Sequence, residues 1–433
     1  MILYDIIALQ TLLPPLFNWP VKPMKKDKMN LGVVGWDGRG GTVAQIGYTA
    51  LGGMIAPVAC VEPSDDRFEK ACKRYELQPR RYGTVREMLA KEKLDGAMIA
   101  SPNEFHLENL KDFQGSRVPI LLEKPLDSQW KRICDVVRFA AKYDAPILVG
   151  HCMRFAPILT EAKKMIQRGD IGKVCSVRFV QHCHYGNGMF HNWRRQRALS
   201  GGNFIEKATH DFDIMLWFLE AWPETVAAFG GLQAFGGKKP AGLRCRDCDE
   251  RLTCRESVQN TRWRAGNYKV WELENSSDLC VYSSVVDAHD NEHALIRFNN
   301  GTFGTYIQWF FSPRSYNHRI YEVQGTEGAI EVDLGAEFGG RILFCPRYGT
   351  YADRQEYKFD YMGRNHYNGD GEMMKHFYQV MRREAKPAAT VEQAFAAEIL
   401  GYAANASVAD NKYADVRKML PKDLARLYKK SVY

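Results

Sequence analysis

The feature that most constrains the fold is the strict alternation of short apolar runs with helical patterns between Asn30 and Gly150. The pattern predicts buried strands at 31–35, 54–61, 95–100, 118–122 and 145–149 and helices at 65–75, 84–92, 104–113 and 128–142. Strands that alternate with helices pair in parallel through right-handed crossovers. This part of the chain therefore predicts an α/β fold, an N-terminal doubly wound parallel sheet of the Rossmann type.

After Gly150 the pattern changes to consecutive strands with few helices. Helices are predicted at 156–168, 207–219, 368–383 and 391–407, and strands at 174–184, 224–233, 280–286, 292–298, 302–311, 318–325 and 328–333. Such an order is typical of an α+β domain with a large open mixed or antiparallel sheet. We predict an N-terminal extension (1–29), a nucleotide-binding domain (30–150), a substrate-binding and oligomerisation domain (151–410) and a C-terminal tail (411–433).

Charge and composition argue against nucleic-acid and membrane partners. The net charge of +8 is spread along the chain without a Lys/Arg block. The apolar stretch Met1–Trp19 lacks a basic start and is broken by Pro14 and Pro15, which disfavours both a signal peptide and a spanning helix. It is either an upstream start or an arm that packs on the body or a partner subunit. Eleven cysteines, mostly in apolar runs, favour reduced thiols in a cytoplasmic protein.

A glycine-rich turn follows the first predicted strand and resembles the G-x-G-x-x-G pattern, with Asp37 at the second glycine position. Glycines let the backbone approach a diphosphate, and the next helix attracts its charge. We expect Arg39 to offset the charge of Asp37. Glu62 ends the second strand, where a carboxylate accepts hydrogen bonds from ribose and repels a 2′-phosphate, so NAD is favoured over NADP. The predicted contacts of this turn are Gly35, Trp36, Asp37, Gly38, Arg39 and Gly40.

Two later strand ends carry a family resemblance. One is followed by Ser101-Pro-Asn103-Glu-Phe-His106 and the next by Glu123-Lys124-Pro125. On this framework the pair resembles the Gfo/Idh/MocA family, which includes glucose–fructose oxidoreductase and inositol dehydrogenase. Further similarity, over roughly residues 30–410, comes from the segments His151–Pro157 and Ser200–Gly202, from Glu206-x-x-x-His210-x-x-Asp213, and from His366 with Asp370.

The resemblance implies an active site made of Lys124, Glu206 and His210. Most dehydrogenases of the family have Asp where this chain has Glu206, and the extra methylene shifts the carboxylate. For His106, loop packing and a substrate role both stay open. Pairing of family members through the open second sheet implies a homodimer or homotetramer. The implied cofactor contacts outside the glycine-rich turn are Ser101, Asn103, His106, Glu123, Lys124 and Arg154.

The residue types support this chemistry without the resemblance. Removing a hydride from an alcohol carbon requires loss of the hydroxyl proton, for which histidine is the natural base. A lysine ammonium stabilises the developing alkoxide. Glu206 and His210 are four residues apart and share a helix face, so the carboxylate can orient the imidazole or bind a second hydroxyl. Lys207 adds a cation that perturbs both neighbours.

The segment His184–Arg197 is rich in aromatic and basic residues. Aromatic faces stack on sugar rings, while Arg and His bind hydroxyls or an acidic, phosphorylated or sulfonated sugar. The alternative is a solvated loop that packs on the next subunit. The predicted substrate contacts, besides the three catalytic residues, are Tyr185, His191, Trp193, Arg194 and Lys207.

Cys245, Cys248 and Cys254 stand together in an irregular insertion at roughly 236–279. Two residues between thiols is metal-like spacing, but zinc needs a fourth ligand, for which Cys280 is a candidate. Zinc, a disulfide and unligated thiols stay open, and no metal is predicted at the active site.

These observations predict an NAD-dependent oxidoreductase acting on a ring hydroxyl or ketone of a sugar, glycoside or cyclitol. One alternative is a glycoside hydrolase of the same family, in which NAD transiently oxidises the ring before elimination, water addition and re-reduction. A second alternative is a non-enzymatic cofactor-binding regulator. Net NADH formation separates the dehydrogenase from the hydrolase.

Overall fold

The computed structural model describes residues 28–184, 186–260, 278–313, 319–335, 339–360 and 365–429. The strands of these residues are β1 (Met29–Val34), β2 (Ile55–Val61), β3 (Arg80–Tyr82), β4 (Gly96–Ile99), β5 (Ile120–Leu122), β6 (Ile147–Val149), β7 (Val174–His182), β8 (Pro223–Gly231), β9 (Asn291–Phe298), β10 (Phe303–Trp309), β11 (Arg319–Gly325), β12 (Gly328–Asp333), β13 (Gly340–Pro346), β14 (Gln355–Phe359) and β15 (Ala414–Asp415). Residues 1–27 of the predicted extension and the predicted contact Tyr185 lie outside the described residues.

The described helices alternate with the strands in the first half of the chain and are grouped in the second. They are α1 (Arg39–Ala50), α2 (Asp65–Tyr75), α3 (Val85–Lys91), α4 (His106–Asp112), α5 (Trp130–Ala140), α6 (Pro157–Arg168), α7 (Gly186–Phe190), α8 (Arg197–Ser200), α9 (Asn203–Glu206), α10 (Thr209–Leu219), α11 (Gly369–Met381), α12 (Val391–Asp410), α13 (Val416–Met419) and α14 (Arg426–Lys429). None of them is both long and apolar enough to cross a bilayer.

The first six strands form a parallel sheet in the order β3-β2-β1-β4-β5-β6. The predicted doubly wound sheet is confirmed. The strand order changes direction at β1, which lies between β2 and β4, and open α/β sheets bind ligands in the crevice at such a switch point. The short strand β3 was not predicted, because Arg80-Arg81-Tyr82 contains no apolar run.

The other nine strands form one mixed sheet in the order β14-β13-β12-β11-β7-β10-β9-β8-β15. The predicted large open sheet is confirmed, and β7 and β10 are its parallel neighbours. Helices α6, α10 and α12 pack on it. Strands β13 and β14 were missed, and β14 is an exposed edge strand that buries no apolar face. The strand predicted at 280–286 is wrong: the segment makes one isolated bridge, from Lys239 to Ser283.

Helices from the end of the chain connect the two sheets. Helix α11 packs against α1, and the close approach leaves no room for a side chain at Gly47, where a Cβ would lie 2.7 Å from Met374. Helix α12 contacts α5 beside the parallel sheet and α10 beside the mixed sheet. The rings of Trp130 and Phe395 stack in this contact, 5.5 Å apart. The carboxyl edge of the parallel sheet is thereby held beside α9 and α10.

Candidate active site

The glycine-rich turn leaves open space over the start of α1. A Cβ on Gly38, which has a φ of 78°, would meet no atom within 4 Å, and no side chain caps the helix. At Gly40 and Gly35, in contrast, a Cβ would lie 2.0 Å from the oxygen of Gly35 and 2.7 Å from that of Ala100. The turn is thus tightly packed at Gly35 and Gly40. At Gly38 it presents backbone N–H groups to open space, which fits the diphosphate of a dinucleotide.

The carboxylate of Asp37 is neutralised by side chains from α2. It accepts hydrogen bonds from Nε of Arg67 at 3.2 Å and from Nη1 of Arg74 at 3.0 Å. The expectation that Arg39 offsets this charge is therefore wrong, since Arg39 donates to Glu123 instead. An Asp at the usual glycine position is tolerated because two cations hold it away from the turn.

Glu62 and Trp36 flank the turn. Glu62 is buried at the end of β2, where its carboxylate accepts hydrogen bonds from the backbone N–H groups of Asp37 at 3.3 Å and Ser64 at 3.4 Å. An acid at this strand end can also accept hydrogen bonds from ribose hydroxyls. The side chain of Trp36 is fully buried and meets the ring of Tyr75 edge-on, so only its backbone can face a ligand.

His106 joins the two turns that carry the family resemblance. It is buried, and its ring nitrogens each lie 2.9 Å from a main-chain oxygen, one of Ser101 and one of Pro125. Of the two roles left open, the structure supports loop packing. The hydroxyl of Ser101 accepts a hydrogen bond from Asn109 at 2.8 Å.

Lys124 and Glu206 meet where the parallel sheet faces α9. The ammonium of Lys124 donates to the main-chain oxygen of Glu206 at 2.7 Å. The Glu206 carboxylate accepts hydrogen bonds from Arg194 at 2.7 Å and from Asn103 at 3.0 Å. Burial acts to raise the pKa of Glu206, but Arg194 and Lys124 outweigh it and hold the pKa below its usual value. Glu206 is therefore a carboxylate that ties two loops together, and it is a poor proton donor.

His210 is buried beside them with 5% of its surface exposed. Its Nδ1 atom has no hydrogen-bond partner in the described part of the chain. Burial and then the positive charge of Lys124 hold the pKa of His210 well below its usual value. The imidazole is therefore neutral at physiological pH and able to accept a proton. Burial, with a smaller contribution from Arg319, lowers the pKa of the neighbouring Lys207 to about 8.

Two buried ionic networks hold this site, and sequence reasoning missed both. Arg39 donates to Glu123 at 2.8 Å and to both oxygens of Asp370. On α10, Asp211 accepts a hydrogen bond from Arg319 at 2.8 Å and another from Tyr306 at 2.9 Å. The partners are separated by up to 331 residues, so no local signal could have identified them.

Arg154 and His191 are reassigned from ligand contacts to structural roles. Arg154 is buried and donates to both oxygens of Asp213, at 2.7 and 2.6 Å, which commits its guanidinium to α10. His191 is also buried, with its ring nitrogens 2.6 Å from the oxygen of Leu279 and 2.7 Å from that of Glu256. It has no nitrogen left for a substrate.

Among the other predicted substrate contacts, Trp193 and Arg194 lie at the site. The guanidinium carbon of Arg194 lies 4.6 Å from the centre of the half-buried Trp193 ring, while its Nε binds Glu206. Arg194 therefore connects the 184–197 segment to the carboxylate of Glu206.

All eleven cysteines are unbridged. Within the described residues, the one group of three potential metal ligands closer than 4.8 Å is Cys152, His366 and Asp370. Cys245, Cys248, Cys254 and Cys280 form no such group. The trio is unsuited to a metal, because Arg39 already pairs with Asp370 and burial raises the pKa of the Cys152 thiol well above its usual value.

Comparison with known protein families gives two matches along the chain. Residues 29–151 match the Gfo/Idh/MocA model described as the oxidoreductase family, NAD-binding Rossmann fold. Residues 163–416 match the model described as the oxidoreductase family, C-terminal alpha/beta domain. The two matches cover both sheets and the residues Lys124, Glu206 and His210.

Individual relatives are distant. The putative oxidoreductase YteT of Bacillus subtilis (strain 168) is 26% identical over 265 residues, which are 57% of this chain and 61% of YteT. The 2,7-anhydro-N-acetylneuraminate hydratase of Escherichia coli (strain K12) is 26% identical over 37% of this chain and 43% of its own length. The chain thus spans less than two thirds of each. A levoglucosan dehydrogenase solved with NADH and levoglucosan shares the fold, with a TM-score of 0.70 and 17% identity over 90% of this chain and 99% of that one.

Proposed function

Because the chain belongs to the Gfo/Idh/MocA family of oxidoreductases, we propose that it transfers a hydride between NAD and a ring hydroxyl or ketone of a sugar, glycoside or cyclitol. The observation that carries the proposal is the convergence of Lys124, Glu206 and His210 at the carboxyl edge of the parallel sheet. The levoglucosan bound to the structural relative supports the substrate class.

The chain's own residues bind the cofactor, orient the substrate and move the proton. The backbone of the Gly35–Gly40 turn would hold the diphosphate, and Glu62 would accept hydrogen bonds from the ribose. NAD supplies the hydride acceptor when bound. His210 takes the hydroxyl proton, which its depressed pKa allows because the ring is neutral. Lys124 stabilises the negative charge that develops on the oxygen.

The test is NADH formation from NAD and a panel of myo-inositol, levoglucosan, methyl glycosides and uronic acids. The wild-type protein is expected to form NADH with one substrate class, and His210→Asn to lower kcat by roughly 10² to 10⁴. His293→Asn is the matched control, because His293 lies on β9, where its Nε2 atom lies 3.0 Å from Oδ1 of Asn291. An equal loss in both variants, or no NADH with any member, contradicts the proposal.

The redox-assisted glycoside hydrolase is the second candidate, and it is favoured by the relative named as a hydratase. It requires an additional acid–base group, and His366 lies beside His210 with its ring centre 5.3 Å away. Release of nitrophenol from nitrophenyl glycosides, dependent on NAD but without net NADH, would replace the dehydrogenase proposal with this one.

We also propose that two copies pair through the open face of the mixed sheet. Phe229, Leu295 and Phe303 lie there with exposed fractions of 71%, 61% and 57%. Apolar side chains clustered on a monomer surface are typical of an interface. Sedimentation equilibrium is expected to show a dimer or tetramer that Leu295→Lys dissociates, whereas the similarly exposed Leu252→Lys leaves it intact. A wild-type monomer would contradict this.

A further inference from the structure

We propose that His366, oriented by Asp370, relays the substrate proton between the buried His210 and solvent. The inference rests on the proposed function, because a relay is needed only if His210 exchanges a proton during turnover. In this proposal His366 does not touch the substrate; it acts only through His210.

The first argument is that His210 has no route of its own for the proton. Its ring is 5% exposed, and no described residue hydrogen-bonds its Nδ1 atom. The ring next to it is that of His366, at a centre-to-centre distance of 5.3 Å and an angle of 39°. The His366 side chain is 30% exposed and so reaches solvent. Rotation of the two rings, or one bridging water, brings a nitrogen of each within hydrogen-bonding distance.

The second argument is that Asp370 determines the tautomer of His366. The Nδ1 atom of His366 lies 2.9 Å from the Asp370 carboxylate, which is ionised because Arg39 donates to both of its oxygens. Nδ1 therefore carries the proton, and Nε2 is free to accept one. This is the arrangement in which a carboxylate orients an imidazole that acts as a base.

The third argument is the backbone that presents the ring. His366, Tyr367 and Asn368 have φ values of 46°, 57° and 70°, three successive residues in the left-handed region. Side chains other than glycine rarely adopt this conformation, and such strain clusters at functional sites. The turn is held by the Tyr367 hydroxyl, which accepts a hydrogen bond from Arg319 at 3.0 Å. The fold therefore maintains an unfavourable backbone that places His366 against His210.

The surrounding charges favour transfer in this direction. Burial lowers the pKa of both imidazoles, but Asp370 opposes the effect at His366 while Lys124 adds to it at His210. Arg39 and Lys207 also face His366 and lower its pKa. Among the described residues, His210 on α10 and Lys207 before it also face the ring, and Sγ of Cys152 lies within 4.8 Å of a His366 nitrogen.

The proton balance of the oxidation direction follows. The substrate O–H bond breaks as His210 takes its proton, and the electron pair of the neighbouring C–H bond leaves as hydride to NAD. His210 then passes the proton to Nε2 of His366, which releases it to water. The reduction direction runs the same path in reverse, with His366 drawing the proton from solvent.

The kinetic test compares His366→Ala with the wild-type protein in the oxidation of levoglucosan and myo-inositol by NAD. The variant is expected to lower kcat roughly ten- to a hundredfold with KM little changed, and free imidazole in the buffer is expected to restore much of the loss. His293→Ala is the control: its kcat is expected to match that of the wild type, with or without imidazole. A loss that imidazole does not restore, or an unchanged kcat, overturns the relay.

A second measurement needs no turnover and separates the inference from the proposed function. Nitrogen-15 NMR of the histidines is recorded against pH on the full chain with NAD bound, and the His210 and His366 signals are assigned with their Asn variants. The relay predicts the Nδ1–H tautomer for His366 and a raised His210 pKa in His366→Asn, since a proton on His366 can then no longer oppose one on His210. The opposite tautomer, or no coupling between the rings, overturns the relay even if NADH forms. Coupled rings without NADH from any substrate would retain the pair and reject the dehydrogenase.

Discussion

The guanidinium of Arg39 binds both carboxylate oxygens of Asp370, at 2.9 and 2.7 Å, although 331 residues separate them. The same guanidinium donates to Glu123 at 2.8 Å. Arg39 begins α1 directly after the glycine-rich turn, Glu123 precedes Lys124, and Asp370 binds Nδ1 of His366. One side chain thus connects the predicted cofactor turn to the segments that carry Lys124 and His366. Despite burial, Arg39 holds the pKa of Asp370 well below its usual value.

Arg39→Met is expected to lower the free energy of unfolding by about 3 kcal/mol, because two buried carboxylates lose their cation. Urea denaturation followed by circular dichroism measures this. The matched control is Arg86→Met, since the ion pair of the exposed Arg86 with Asp112 contributes less than about 1 kcal/mol. Equal changes in the two variants would show that the Arg39 bridge does not stabilise the fold.

Lys207 is expected to make the free energy of unfolding of the wild type rise with pH, compared with that of Lys207→Met. Its pKa is about 8 in the folded protein against 10.5 as the ordinary value, so between these pH values the unfolded chain binds a proton that the folded protein has lost. The difference in free energy of unfolding between the wild type and Lys207→Met should grow by about 1 kcal/mol per pH unit in this window. The exposed Lys173→Met should give a flat difference, and a flat difference for Lys207→Met would refute the lowered pKa.

Glu206→Asp tests why this chain carries the longer acid. The shorter side chain cannot keep both the 2.7 Å bond from Arg194 and the 3.0 Å bond from Asn103. Losing one hydrogen bond to a charged group should reduce kcat/KM roughly tenfold, mainly through KM. Steady-state kinetics with the substrate that forms NADH measures this, and Glu69→Asp on the exposed face of α2 is the control. An unchanged or higher kcat/KM would mean that the longer acid is not required.

Lys124→Met is expected to reduce kcat by roughly 10² to 10³, since the ammonium no longer stabilises charge on the reacting oxygen. The melting temperature should change little, because the bond to the Glu206 oxygen is a single contact at the rim of the site. Kinetics and thermal melting are compared with those of the surface variant Lys164→Met. A loss of activity that only follows a loss of folded protein would assign Lys124 a structural role.

The positions of the main elements followed from local patterns. Helix α2 begins and ends where its polar and apolar periodicity predicted, with Ser64 as its N-cap. The strand predicted at 280–286 failed because an apolar run is not sufficient without a neighbouring strand to pair with. Strand β14 was not predicted because an exposed edge strand carries little apolar alternation, whereas β13, which contains the apolar run 342–345, was simply missed.

The site divides in the same way. Lys124, Glu206 and His210 were predicted because each stands in a short motif that resembles one of the family. His191 was assigned a ligand role from residue type, Arg39 from its place in the glycine-rich turn and Arg154 from the resemblance. The structure commits all three to other partners. A basic or imidazole side chain in a loop looks the same in sequence whether it faces a ligand or a buried carboxylate.

By itself, the sequence determined the parallel sheet and its glycine-rich turn, because hydrophobic periodicity and turn chemistry act over a few neighbouring residues. The prediction of Lys124, Glu206 and His210 came from motifs that resemble those of the family. Only the tertiary structure decided which charges are paired, which histidines are held by hydrogen bonds to the main chain, and that His366 lies against His210. Those facts depend on side chains brought together from positions up to hundreds of residues apart, where burial makes each unpaired charge costly and so selects its partner.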